Sequence, residues 1–193
     1  VEKFEKEVSL YCDSKYALAV NSATSGLHLA CMALGLSSND EVWTSPITFV
    51  ASANCVKYCG AQIDFVDIDK ESFCMSTDLL AKKLENCLAK GLKIPKIVIP
   101  VHLSGHSCDM KTIKELSDQY GFSIIEDASH AIGGSINGFP VGSCQYSDIT
   151  VFSFHPVKII TTGEGGMTLT NNRSLFEEMK LLRSHGITRD KDK

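Results

Sequence analysis

The 193-residue sequence carries 19 basic and 23 acidic side chains, a net charge of −4, with 44% hydrophobic and 22% charged residues. That balance is ordinary for a single globular domain. It excludes intrinsic disorder and argues against a general nucleic-acid binder, which carries a basic surplus. No apolar run reaches the roughly 18 residues that would suggest a membrane span. Residues 1–11 (VEKFEKEVSLY) have helical apolar spacing; they are too charged for a signal peptide and, without an initiator Met, are expected to open a fragment. Residues 16–20 (YALAV) read as a short buried strand and 24–35 as an apolar helix ended by Gly35. A strand at 41–44, a helix near 49–58 ended by Gly60, a strand at 63–66 and a helix at 79–89 follow. Residues 96–101 (KIVIPV) form a continuous apolar strand of the kind buried on both faces. A helix at 110–120 has Asp109 as its N-cap, and 122–126 (FSIIE) is another buried strand. Strands at 148–154 and 166–170 and a helix at 174–184 complete the pattern, and the charged residues 188–193 are expected to be frayed or cut off within the domain. Repeated alternation of apolar strands and helices specifies an α/β fold, a mostly parallel sheet with helices on both faces.

Eight cysteines, Cys12, Cys31, Cys55, Cys59, Cys74, Cys87, Cys108 and Cys144, could pair as four disulfides. The length, the core pattern and the absence of a leader favour reduced structural thiols in a cytoplasmic protein instead. Cys55 and Cys59, four apart on a helix, share a face. Without paired Cys/His knuckles there is no zinc signature.

In an open α/β sheet, ligands bind beyond the carboxyl ends of the strands, so the chemistry is sought there. After YALAV comes Asn21-Ser22-Ala23-Thr24-Ser25-Gly26, opening a helix. Hydroxyls and free N–H groups at a helix N-terminus suit a phosphate, although the same residues serve as a plain N-cap. After FSIIE comes Asp127-Ala128-Ser129-His130. Asp127 suits a base, a metal ligand, a partner for a protonated ring nitrogen, or a turn cap. The richest stretch is Ser153-Phe154-His155-Pro156-Val157-Lys158 with Thr161-Thr162-Gly163-Glu164-Gly165-Gly166. A lysine just beyond a buried strand is either solvated or desolvated into a nucleophile. Phe49, after the 41–44 strand, offers either a stacking ring or core packing. A phosphate, a ring nitrogen wanting a carboxylate and an aldehyde wanting a lysine together describe pyridoxal 5'-phosphate (PLP).

The stretches NSATSGLHLACMALG, DEVWTSPITFVASANCV, IPVHLSG, IIEDASHAIGG, VFSFHPVKIITTGEGGM and LLRSHGI, in this order, cover nearly the whole chain. As a set they resemble the N-terminal large domain of the DegT/DnrJ/EryC1/StrS aminotransferases, which act on nucleotide-linked keto sugars. The resemblance implies an aspartate-aminotransferase-like (fold type I) architecture and a homodimer with active sites at the interface. It assigns Lys158 as the Schiff-base lysine, Asp127 as the carboxylate on the pyridinium nitrogen, and Phe49 as the stacking aromatic. Thr24 and Ser25 match the phosphate-binding pair, and Ser153 a further phosphate hydroxyl. His130 stands where many members have Gln against the ring oxygen, and it replaces only part of that side chain's hydrogen bonding. Ala23 stands where Gly is usual in the phosphate loop, which requires a negative φ there.

The chain ends about halfway through the family's length, without the small C-terminal domain, so weak or absent turnover is expected of it alone. SFHPVKIITTGEGG and NSATS most resemble the branch that aminates C4 of UDP-linked 4-keto-6-deoxy-HexNAc sugars for surface glycans, with glutamate the usual donor. Arg183, His185, His102 and His106 are substrate or structural contacts. The superfamily's sugar dehydratases replace the lysine with His, so Lys158 speaks against them. The intact Lys158, Asp127 and Ser153 set speaks against a non-catalytic relative. No GxxxxGK[ST] is present, and the Gly-rich run follows Lys158 rather than linking a first strand to a helix, which removes nucleotide-binding P-loop and Rossmann readings.

Overall fold

The computed structural model describes residues 1–187. The reading of 188–193 lies outside the described residues. In chain order the elements are α1 (Glu2–Tyr11), β1 (Tyr16–Val20), α2 (Ala23–Ala33), β2 (Glu41–Thr44), α3 (Ala51–Tyr58), β3 (Gln62–Phe65), α4 (Thr77–Ala89) and β4 (Ile97–Ile99). Then come α5 (Met110–Tyr120), β5 (Ser123–Asp127), β6 (Ser135–Ile136), β7 (Phe139–Pro140), β8 (Ile149–Ser153), β9 (Gly166–Thr170) and α6 (Arg173–Arg183).

Seven strands form one sheet in the order β1-β9-β8-β5-β4-β2-β3. β8, β5, β4, β2 and β3 run parallel, whereas β9 is antiparallel to both of its neighbours. β6 and β7 make a separate two-stranded hairpin turned by Asn137-Gly138, both at positive φ. Alternation along each strand sends side chains to two faces. On one face Ile97, Ile99, Ile125, Ile149 and Val151 pack under α2, α3 and α6. On the other, Trp43, Val98 and Ile124 pack under α4 and α5, while Phe152 and Leu169 pack under α1. The expected mostly parallel sheet with helices on both faces is the one observed.

The local signals act as read. Asp109 caps α5, accepting from the Thr112 N–H at 3.2 Å. Gly35 adopts φ +67 just past α2, and Gly60 φ +76 just past α3. All eight cysteines are free thiols, seven of them buried. Cys55 and Cys59 both pack into the layer between α2 and α3. One boundary differs in a way that matters for function. The third helix starts at Ala51, because Ile47–Val50 are spent on a turn, and this leaves Phe49 70% exposed before the helix rather than inside it.

Candidate active site

The carboxyl ends of β1, β2, β4, β5 and β8 border a cavity of about 330 Å³, within the usual range for small-molecule sites. Each strand delivers a different part of the wall. Ser22, Ala23 and Thr24 come from the β1–α2 turn, Thr48 and Phe49 from beyond β2, and Val101, His102 and Leu103 from beyond β4. Asp127 ends β5, with Ser129 and His130 just beyond it, and Ser153 ends β8, with His155 and Lys158 beyond it.

Asp127 sits on the α3 side of β5 and is 4% exposed. One carboxylate oxygen accepts the Ser52 hydroxyl at 2.7 Å; the other accepts the Ser129 hydroxyl at 2.6 Å and the Ser129 N–H at 3.2 Å. Ser52 in turn meets the Thr48 hydroxyl at 2.8 Å. The carboxylate is therefore pinned in place. Ser52 and Ser129 escaped the sequence reading as functional residues. Ser129 could have been found from its place beside Asp127, whereas Ser52 lies 75 residues away and carries no local signal.

Lys158 lies in the excursion between β8 and β9. Burial pulls its amine below the ordinary lysine value of 10.5, and the negative charge of Asp127 opposes that pull. The excursion is stitched at its base, where Phe154 N–H donates to the Gly165 carbonyl at 2.9 Å and Thr161 and Thr162 bond back to the Phe154 carbonyl. His130 accepts the Ser104 N–H on Nδ1 at 3.2 Å, which leaves Nε2 to carry the ring hydrogen. Burial and then the Lys158 charge pull its pKa down, with Asp127 opposing.

The phosphate-sized corner is the N-terminus of α2. Ala23 and Thr24 occupy the first two helical positions, whose N–H groups have no intrahelical partner. Ala23 is absent from the residues at positive φ, so the missing Gly costs nothing there. Ser22 caps the helix, accepting the Ser25 N–H at 3.2 Å. Thr24 faces the cavity. The Ser25 side chain turns away from it, donating to Asn21 at 2.5 Å and lining a separate, more open hollow. Successive helical residues point about 100° apart, so adjacent hydroxyls cannot face one ligand equally. Ser153, 7% exposed, closes the corner opposite.

Gly166 lets this corner form. A Cβ there would stand 2.5 Å from the Ser22 carbonyl carbon and 2.6 Å from the Ala23 nitrogen, backbone atoms that cannot swing aside. Gly166→Ala is expected to push the α2 N-terminus off β9, lowering the unfolding free energy by about 1–3 kcal/mol and weakening phosphate-group binding. A urea midpoint and a cofactor titration on the same variant check this. An unchanged midpoint with unchanged affinity would show the approach to be less tight than it is here.

Of the remaining candidates, His102 borders the cavity but directs its ring to Glu126 (Nε2–Oε2 2.8 Å), on the opposite face of β5 from Asp127. Arg183 donates to Glu5 and to the Ala19 carbonyl at 2.8 and 2.9 Å, a structural tie outside the cavity. His106 lines a third hollow, and His185 sits at positive φ after α6.

The profile of the DegT/DnrJ/EryC1/StrS aminotransferase family matches residues 1–193. The chain belongs to this family. It is 42% identical over 189 residues to the UDP-4-amino-4,6-dideoxy-N-acetyl-beta-L-altrosamine transaminase of Campylobacter jejuni, covering 98% of this chain and 48% of the relative. It is 43% identical over 187 residues to the GDP-perosamine synthase of Caulobacter vibrioides, covering 97% and 48%. Among solved structures, ntda from Bacillus subtilis with bound cofactor PMP superposes with a TM-score of 0.86 at 32% identity, covering all of this chain and 42% of that one. The chain thus spans about half the length of the curated relatives it matches. The PLP-transferase fold expected from the sequence is the fold of this PMP-bound neighbour, and PLP is the cofactor of the family to which the chain belongs.

The residues present fit that cofactor. A pinned carboxylate, a lysine amine of lowered pKa and an open helix N-terminus against a glycine cradle share one cavity of suitable size.

Proposed function

We propose that residues 1–193 are the PLP-binding large domain of a cytoplasmic aminotransferase that moves an amino group, from glutamate, to a nucleotide-linked 4-keto-6-deoxy sugar for surface polysaccharide. The observation that carries this reading is the sharing of one cavity by Asp127, Lys158 and the α2 N-terminus. The altrosamine transaminase and perosamine synthase named above support the sugar class.

When bound, PLP supplies an aldehyde that takes up nitrogen and a ring that absorbs negative charge from the adjoining carbon. Asp127 keeps the ring nitrogen protonated, and Ser52 and Ser129 keep the carboxylate aimed. Lys158, partly desolvated, would hold the group through its aldehyde, and its freed Nζ would carry the proton from the substrate carbon to the aldehyde carbon of the cofactor. His130, with its Nε2–H free, and Phe49 would hold the ring, the first as a hydrogen-bond donor and the second as an aromatic cover. Thr24, Ser22, Ser153 and the first N–H groups of α2 hold the phosphate, with Ser25 bracing Ser22 from behind. Ile47, Phe49, Val50, Val157, Ile159 and Ile160 expose apolar surface on the segments flanking the cavity, which supports a homodimer closing its active sites there.

The decisive experiment is a visible spectrum during PLP titration, followed by borohydride reduction and peptide mapping. Expected is a visible band that reduction converts into a stable adduct on Lys158, absent in Lys158→Ala. No adduct, or an adduct on another lysine, would overturn the assignment.

A further inference from the structure

The turn between β2 and α3 carries a hydroxyl that its own helix does not use. Threonine is a residue type that caps helices, yet α3 begins with Val50 at its N-cap and no side-chain cap. The Thr48 hydroxyl goes elsewhere: its Oγ1 lies 2.8 Å from the Ser52 Oγ, in the first turn of α3. Ser52 lies within reach of three acceptors, Asp127 Oδ2 at 2.7 Å, Thr48 Oγ1 at 2.8 Å and the Phe49 carbonyl at 3.3 Å. It has one hydrogen to give. The Asp127 carboxylate, the nearest acceptor and the charged one, takes it. Thr48 must then donate to Ser52, so the hydrogens point one way, from Thr48 to Ser52 to Asp127.

We propose that Thr48 is a positioning residue for the cofactor ring, the outer member of a one-way hydroxyl relay that holds the Asp127 carboxylate and the Phe49 turn in one register. The proposal rests on the aminotransferase reading of the cavity.

In that reading the ring is held at its nitrogen by Asp127 and on its face by Phe49. Thr48 borders the cavity and immediately precedes Phe49, while Ser52 reaches Asp127 on β5. A single Thr48–Ser52 bond therefore ties the aromatic cover to the carboxylate. Donation into the Ser52 oxygen also polarises the Ser52 O–H and strengthens its bond to Asp127. Without that donor the Ser52 hydroxyl is released to turn towards the Phe49 carbonyl, leaving Ser129 to hold the carboxylate. Valine at position 48 keeps the shape and removes the donor; serine keeps the donor and drops only the methyl group.

The test begins without PLP. The carboxyl carbon resonance of Asp127, identified by its absence in Asp127→Asn, is expected to move in Thr48→Val and to return in Thr48→Ser. PLP titrations then compare the parent with Thr48→Val, Thr48→Ser, Ser52→Ala and the Thr48→Val/Ser52→Ala double variant. Expected is PLP binding about 3–10-fold weaker in Thr48→Val, the worth of one net hydrogen bond, and recovered in Thr48→Ser. The pH midpoint of the visible band should rise in Thr48→Val, because a ring proton held less firmly leaves less positive charge to repel a proton from the nitrogen that joins the cofactor to Lys158. In the Ser52→Ala background, Thr48→Val should add no more than about twofold, since Thr48 acts through Ser52. Parent-like binding and midpoint in Thr48→Val, an undiminished loss in the Ser52→Ala background, or Thr48→Ser behaving like Thr48→Val would each overturn the proposal while the aminotransferase reading stands. A parent that binds no PLP would end that reading, and the cofactor role of Thr48 with it.

Discussion

Asp127→Asn is expected to slow amino transfer by about 10²–10³-fold, the loss typical of removing one preorganised electrostatic partner from a transition state. The substitution keeps size and shape, so the Ser52 and Ser129 contacts have no steric reason to break. What disappears is the negative charge. An amide cannot hold the proton on the ring nitrogen, and the ring then accepts charge poorly from the reacting carbon. The effect should fall on kcat far more than on KM, because the interaction matters most when charge develops. The same change removes the one charge that opposes the lowering of Lys158, so the lysine amine should titrate lower still in the ligand-free variant. Steady-state kinetics of the proposed aminotransferase bearing this substitution, with the Lys158 titration alongside, measure both. A rate within about threefold of the parent would place the ring nitrogen elsewhere.

The largest stability effect is expected from His102→Leu. The Glu126 carboxylate is 3% exposed and accepts from Ser147 at 2.6 Å, Thr150 at 2.7 Å and the His102 ring at 2.8 Å. The His102 Nδ1 accepts the Cys108 N–H at 3.2 Å, so Nε2 carries the hydrogen and donates it to Glu126. Burial alone would push the Glu126 carboxyl up; the His102 bond, aided by both hydroxyls, brings it below its ordinary 4.5. Its contribution to stability is therefore present above about pH 4.5 and lost as pH falls through the lower folded-state value. Leucine leaves the carboxylate buried without its strongest donor, at a cost of about 3–5 kcal/mol at neutral pH. Burial then dominates, the carboxyl rises, and the folded variant takes up a proton before the unfolded chain does. The deficit should shrink as pH falls towards 5. Urea unfolding at pH 7 and pH 5 checks both sign and size, and an equal deficit at the two values would mean lost packing rather than an orphaned charge.

Most of the fold was readable from residue patterns because each element agrees with its own local chemistry. The apolar runs KIVIPV and FSIIE are central parallel strands, and Asp109, Gly35 and Gly60 mark their helices at the expected ends. The β6–β7 hairpin was missed although Asn137-Gly138 is a strong turn signal, because strands of two residues have no periodicity to detect. Within the cavity wall, Asp127, Lys158, Ser153, Thr24, Phe49 and His130 were legible because each lies at or just beyond the carboxyl end of a strand that borders the cavity. Ser52 was not, since its role arises only when α3 packs over β5. The orientation of Ser25 was not, because it depends on which residue takes the cap. Glu126 and Asp127 look alike in the sequence, yet strand alternation sends one into a sealed structural network and the other into the cavity.

The reversal of β9 has a consequence for how this fold tolerates change. Because β9 returns alongside β8, residues 154–165 leave and re-enter the sheet at the same end, their feet joined by the Phe154–Gly165 bond. Such an excursion is thermodynamically forgiving: doubling its length would cost only about 0.6 kcal/mol in closure entropy. It is geometrically unforgiving, since every residue added between Phe154 and Lys158 moves the amine relative to Asp127. Insertions and deletions there would pass a screen for folding and fail one for catalysis. The spacing from Phe154 to Lys158 is thus a ruler kept by function alone.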